Sequence, residues 1–183
     1  ILWGIAAILV LWRAISSIYT VQTESQGVVL RFGKYIETEP PGLHFKLPFG
    51  IDDVYILPVE RQLKQEFGFA TEGATNQSQF SEHRGEQQHE RSMVTGDLNT
   101  AVVEWVVQYR ITDPESFLFK VMEPEYTLRD MSEAVMRTVV GDRTVDEVIT
   151  IGRQEIAEKA REGLSELVTK YELGISITQV QLK

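Results

Sequence analysis

The chain has 183 residues, 43% hydrophobic and 25% charged, with 18 Lys plus Arg against 27 Asp plus Glu, a net charge of −9, and no cysteine. That length suits one ordinary domain with appendages and is ample for a buried core. The lack of cysteine excludes a disulfide scaffold, a thiolate zinc site, an iron–sulfur cluster and a cysteine nucleophile. The acidic balance argues against a general nucleic-acid surface, which needs a basic face.

Charge is distributed unevenly. Ile1–Trp12 carries none, and Arg13 is followed by Ala14-Ile15-Ser16-Ser17-Ile18-Tyr19 before polar sequence begins. A helix over Ile1–Tyr19 would be about 28 Å long at about 1.5 Å per residue, close to the roughly 30 Å hydrocarbon core of a bilayer. The run lacks the basic start and small-residue cleavage site of a signal peptide. It is also apolar around its whole circumference, unlike an ordinary core helix. It reads as a transmembrane anchor, with Ile1, Leu2, Trp3, Ile8 and Leu11 membrane-associated, Trp12 and Tyr19 at an interface, and Arg13 snorkelling. The run is cut off at Ile1, which is not a Met, so a longer natural chain is expected. No Lys or Arg stands between Arg13 and Arg31, which favours placing the C-terminal side outside the cytoplasm. The remainder, Thr20–Lys183, has 17 basic and 27 acidic residues, a net charge of −10 over 164 residues.

Thr20–Phe32 reads as short strands, with Gly27 as a turn or bulge and Val28–Phe32 as one strand's core. Gly33-Lys34 closes it, and Glu39-Pro40-Pro41-Gly42 is a turn. Apolar and polar residues alternate over Leu43–Phe49. Ile51–Leu63 is a further strand whose Pro58 implies an edge or a bulge. Gly68–Ser92 contains no Val, Ile, Leu or Met and reads as a polar, mobile insertion between strands. Asn99–Ile111 is the clearest strand, with Ala101, Val103, Trp105, Val107, Tyr109 and Ile111 on one face. Asp113-Pro114 starts a helix as N-cap and first residue. A second helix runs from near Pro124 to Val140, with Leu128, Met131, Val135 and Val139 as its apolar stripe. Thr144–Tyr171 is read as one long amphipathic helix, opened by a Thr144/Glu147 capping box and ended at Gly174. Its buried side holds Val145, Val148, Ile149, Ile156, Ala160, Leu164, Leu167, Val168 and Tyr171. Ile175–Leu182 alternates as a closing strand. The fold class is α+β, strands first and then helices, with domains at Ile1–Tyr19 (anchor) and Thr20–Lys183.

A catalytic constellation does not emerge. His44 lies in a strand-like segment. His83 and His89 sit in the polar insertion among Glu82, Glu86 and Glu90, at a spacing that fits no standard zinc geometry. Asp52 and Asp53 are adjacent and on a strand face opposite sides. Asp97 follows Gly96 and shapes a turn. There is no Gly-x-Ser-x-Gly elbow, Ser-x-x-Lys or phosphate-cradling glycine loop. No catalytic residue, cofactor or metal ligand is expected.

Four blocks occur in a recognisable order: Gln26–Lys34 with its Arg31-Phe32-Gly33, Pro41-Gly42-Leu43-His44-Phe45, Val94–Asn99 with Asp97, and Val107–Pro114 with Tyr109, Arg110, Asp113 and Pro114. In these the chain resembles the SPFH (stomatin, prohibitin, flotillin; band-7) superfamily. Leu128-Arg129-Asp130, Ala134-Val135-Met136-Arg137, Gly152–Ile156 and Gly174–Ile177 with Val180 resemble its HflK branch. The resemblance implies an SPFH domain with structural roles for those motif residues, and a long C-terminal helical region beyond Lys183. It also implies a non-enzymatic scaffold that assembles with an HflC-like paralogue into a large hetero-oligomeric cage around an FtsH-type AAA membrane protease. Residence would be in the bacterial inner membrane, single-pass, with a cytoplasmic N-terminus and a periplasmic domain. Leu43, Phe45, Leu47 and Phe49 either dip into the outer leaflet or pack alternately in the sheet. Lateral assembly is assigned to the charged face carrying Arg153, Glu155, Lys159 and Glu162. Rival readings are a stomatin- or prohibitin-like homo-oligomer, a membrane-anchored hydrolase using Asp97, His83 or His89, and a binding module with a sizeable pocket.

Overall fold

The computed structural model describes residues 17–69, 91–150 and 152–183. Ile1, Leu2, Trp3, Ile8, Leu11, Trp12 and most of the Gly68–Ser92 insertion, with His83 and His89, lie outside the described residues. Among the described residues no helix is long and apolar enough to cross a membrane. The chain divides into two compact units, one holding the described part of Ile1–Arg61 with Asp113–Glu115, the other Gln62–Thr112 with Ser116–Lys183.

The first unit is built from strands β1 (Ile18–Val21), β2 (Ser25–Arg31), β3 (Lys34–Glu39), β4 (Gly42–Phe45) and β5 (Asp52–Pro58). β2 is the centre of an antiparallel sheet in the order β3-β2-β5, and β1 pairs with β4. β2 is paired along both edges, and its Val28, Val29 and Leu30 are all buried. Pro58 ends an edge strand, where its missing N–H costs no ladder bond.

Three expectations are corrected here. Ile18 and Tyr19 belong to β1, so a helix does not extend to Tyr19; their partners Phe45 and His44 hold them extended. Gly27 lies within β2 and is no turn; a Cβ there would sit 3.1 Å from Val21 Cγ2, so close packing explains the glycine. The bulge falls between Val29 and Leu30. Phe32 is not strand core: β2 stops at Arg31, and Phe32 (φ 51°) and Gly33 (φ 77°) form a two-residue hairpin turn with both φ values positive.

In the second unit, β6 (Leu63–Phe67), β9 (Trp105–Ile111) and β10 (Ile175–Leu182) form a sheet in the order β10-β9-β6, and β7 (Ser92–Val94) pairs with β8 (Thr100–Val102). The strand expected over Asn99–Ile111 is thus two strands in different sheets. Its alternation survives the break at Val103-Glu104, and all six residues of its apolar face are buried. Helix α1 (Pro114–Phe119) opens with the Glu115 amide donating to Asp113 Oδ1 at 3.1 Å. Helices α2 (Pro124–Gly141), α3 (Val145–Ile149) and α4 (Arg153–Lys170) follow.

The buried line of α2 is Leu128, Ser132, Met136 and Val140, not Met131, Val135 and Val139, which are half-buried. A hydroxyl, not a hydrocarbon, occupies the second core position, because Ser132 accepts a hydrogen bond from Trp105 Nε1 at 2.9 Å. The single helix expected over Thr144–Tyr171 is broken. The capping box is present, with both reciprocal bonds, but α3 ends at Ile149 and α4 starts at Arg153. Between them the Gly152 amide donates to the Glu147 carbonyl at 2.9 Å, and a Cβ on Gly152 would lie 2.4 Å from that oxygen. Only glycine permits this tight elbow. Beyond it Ile156, Ala160, Leu164 and Val168 are buried as expected, while Ile149 and Tyr171 are exposed.

Candidate functional site

The β1–β4 pair turns its apolar side outward. Ile18 stands opposite Phe45 and Thr20 opposite Leu43 on one face, while Tyr19 and His44 share the other. On that inner face His44 Nε2 lies 2.7 Å from the Pro40 carbonyl oxygen and Nδ1 3.2 Å from Glu39 Oε2. The Tyr19 hydroxyl donates to the same Glu39 carboxylate. The outer face is the reverse of a soluble hairpin: Leu43, Phe45, Leu47 and Phe49 are 61%, 71%, 44% and 67% exposed, whereas His44, Lys46 and Pro48 are half-buried. Alternate packing in the sheet does not account for these four residues.

Two turns extend this apolar rim. Phe49 (φ 70°) and Gly50 (φ 72°) repeat the left-handed Phe-Gly pattern of Phe32-Gly33, and Phe32 is 80% exposed. The turns meet at one end of the sheet, where the Phe32 amide donates to the Ile51 carbonyl at 2.9 Å. A phenylalanine at positive φ costs on the order of 1 kcal/mol and persists only where the surroundings hold it. The holding group is Asp52, 4% exposed. Its carboxylate receives Arg31 Nε at 2.8 Å, Arg31 Nη2 at 3.2 Å and the Leu47 amide at 2.9 Å. The Arg31 hydrogen bond and then the Leu47 amide hold its pKa below the usual carboxylate value. Arg31 is thereby the tie between the hairpin that carries Phe32 and the segment that carries Leu47. Gly42 (φ 146°) begins β4 opposite Val21 next to exposed Pro41.

In the second unit, the Thr95–Asn99 turn is pinned by Asp97. Its Oδ1 accepts from Thr95 Oγ1 at 2.6 Å and from the Val145 amide at 3.2 Å, and its Oδ2 accepts from Asn99 Nδ2 at 2.7 Å. The Thr95 bond is the main cause of its lowered pKa. Gly96 N–H adds a bond to the Arg143 carbonyl at 2.7 Å. Asp97 shapes the turn as expected, and also docks it on the start of α3, which the sequence does not reveal. Tyr109 is fully buried in β9, while Arg110 is exposed opposite Ser176.

The four residues assigned to lateral assembly divide. Glu155, Lys159 and Glu162 fall on one stripe of α4. Glu155 pairs with Arg143 and, at 3.5 Å, with Lys159. Arg153 lies instead with Ala157 and Arg161 beside β10. Among the described residues no group of three or more His, Asp or Glu is placed to hold a metal ion.

Sequence reasoning missed Ser132, and named Asp52 and Gly152 without the roles the structure gives them. A signal existed for Ser132: a buried indole N–H needs an acceptor, and α2 offers a hydroxyl on its core line. Asp52 requires the strand register, which places it opposite Arg31.

The first unit thus presents an outward apolar rim on small antiparallel sheets, and the second combines strands with helices α2, α3 and α4. The chain belongs to the SPFH domain / Band 7 family, whose pattern matches residues 19–183. It is similar to Protein HflK of Treponema pallidum, 40% identical, with 98% of this chain and 54% of that protein covered. Protein HflK of Borreliella burgdorferi is 36% identical, with 98% and 56% covered. The Modulator of FtsH protease HflK of Escherichia coli is 34% identical, with 97% and 37% covered. The chain spans about half the length of the first two relatives, and less of the third.

Proposed function

We propose that this chain is the membrane-proximal part of an HflK-type, non-enzymatic scaffold. It assembles with an HflC-like paralogue into a cage around an FtsH-type AAA protease and regulates the protease's access to membrane substrates. The observation that carries the membrane-proximal assignment is the exposed rim of Leu43 and Phe45 on β4, the strand paired with β1, continued by Leu47 and Phe49 just after it. β1, the strand that pairs with β4, follows directly on the apolar run that begins at Ile1. Similarity to a modulator of FtsH protease supports the partner.

In this reading residues 1–17 anchor the chain in the inner membrane, N-terminus inside, and the SPFH domain stands in the periplasm with its rim in the outer leaflet. The two Phe-Gly turns are the deepest points. A ring of heterologous contacts closes only at the right rotation between neighbours, and the Glu155, Lys159 and Glu162 stripe of α4 supplies one side of it. The test is gentle detergent extraction of the full-length protein, with imaging and identification of what co-purifies. Closed assemblies containing a paralogue and the protease are expected. Homo-oligomers alone would favour a stomatin-like scaffold, and bare monomers would end the scaffold reading.

A further inference from the structure

The two edges of the β10-β9-β6 sheet are treated differently. At β6 the guanidinium of Arg129 closes the outer side. It lies 4.7 Å from the Phe67 ring centroid, and its Nη1 donates to the Glu66 carbonyl at 3.2 Å.

At β10 the backbone geometry is set by its ends. The Lys183 amide donates to the Glu104 carbonyl at 2.8 Å, so residue 183 faces β9. Alternation along the strand then turns the N–H and C=O of Leu182 and Val180 away from β9. From the other end, the Thr112 amide donates to the Gly174 carbonyl at 2.9 Å, which turns the backbone N–H and C=O of Ile175 and Ile177 away from β9, while their side chains are buried. An irregularity between Ile177 and Gln179 absorbs the difference in phase. Val180 and Leu182 border an open groove of about 470 Å³ between α4 and β10, shared with Arg153, Ala157, Glu158 and Arg161.

Sequence and charge say what fits there. Ile175–Leu182 (ISITQVQL) has no charge, proline or glycine, the composition of a segment that accepts another strand. Natural sheets usually protect such an edge with charge, proline or a covering element. Only a polypeptide backbone offers donors and acceptors at strand spacing. Glu158 is already engaged by Arg161, with Nε at 3.1 Å, which leaves Arg153 as the surplus charge of the groove. The site is locally cationic on a chain of net charge −9.

We propose that the β10 edge is a docking site for an extended, acidic polypeptide segment of a partner protein, added as a fourth strand beside Val180–Leu182 with its carboxylates toward Arg153. The site uses none of the rim residues and none of Glu155, Lys159 and Glu162.

The test uses the full chain in detergent and a synthetic peptide of alternating Val and Glu. Controls carry Lys in place of Glu, or N-methyl groups on alternate backbone nitrogens. The Val–Glu peptide should bind and slow hydrogen exchange at the Val180 and Leu182 amides by about tenfold or more, and both controls should fail. Leu182→Pro should abolish binding and leave the fold intact, since the ladder to β9 runs through Gln181 and Lys183. Should that variant fail to fold, Arg153→Glu and the N-methylated peptide carry the same test. The proposal is overturned by no binding, by binding with unchanged exchange at the two amides, or by equal binding of the Lys peptide. Protection of those amides through self-association, without peptide, would overturn it in favour of a second copy.

Discussion

Trp105 donates its indole N–H to the hydroxyl of Ser132 across 2.9 Å of protein interior. The same indole stacks on Phe67 with ring centroids 4.6 Å apart, so one hydrogen bond fixes the rotation of α2 over the central strand. Ser132→Ala should cost about 1–3 kcal/mol, the penalty of a buried donor left without an acceptor. Adding Trp105→Phe should then cost less than it does alone, because the orphaned N–H is gone. Urea denaturation of the four-member cycle checks this; additive costs would mean that the bond does not carry the packing.

The elbow between α3 and α4 depends on Gly152. A methyl group there meets the Glu147 carbonyl at 2.4 Å, with no flexible side chain to yield. Gly152→Ala should destabilise by roughly 1–3 kcal/mol as an overpacked site. Thermal melts are the measurement, and an unchanged midpoint would show that the elbow relaxes freely.

Acid should loosen both units through identifiable carboxylates. Asp52 and Asp97 have folded pKa values below normal. Their stabilising effect is therefore complete above the unfolded carboxylate value of about 4 and fades as pH falls through the lower folded values. Urea midpoints measured from neutral pH downward should drop in that window. Asp97→Ala should lower the neutral-pH midpoint and flatten the acid limb. For Asp52→Ala the Leu47 amide should also exchange faster, because its acceptor is lost.

The Phe-Gly turns give a membrane prediction. Phe32→Ser with Phe49→Ser should reduce vesicle partitioning of the domain freed of its N-terminal apolar run, while near-ultraviolet circular dichroism stays native. Each buried aromatic side chain contributes on the order of 1.5–3 kcal/mol, so the pair should lower the partition coefficient by about a hundredfold or more. Unchanged partitioning with a native fold would remove the turns from the leaflet.

Assembly should respond to the α4 stripe. Lys159→Glu together with Glu162→Lys should weaken or misclose the oligomer without unfolding the chain, as those side chains are exposed. Size-exclusion chromatography and imaging decide it: assemblies of normal size would place the interface elsewhere.

Periodicity made most elements legible. The β9 face, the capping box of α3, the Asp113 cap and the closing strand follow from local rules of spacing and capping. What stayed hidden depends on partners distant in sequence. Asn99–Ile111 keeps one alternation across two sheets, so the break at Val103 leaves no mark in hydropathy. Ser132 looks polar and therefore exposed until Trp105 is placed above it. Arg31 and Asp52 are twenty-one residues apart and meet only through strand pairing. Phe32 reads as strand because nothing in its side chain announces a positive φ.

That last residue sets stability and use against each other. Asparagine or glycine would fill positions 32 and 49 with less backbone strain. Laboratory selection for thermal tolerance alone should therefore discard both phenylalanines early. Under selection for work at a bilayer they would be retained, and the difference between the two evolved populations would measure what the membrane asks of the fold.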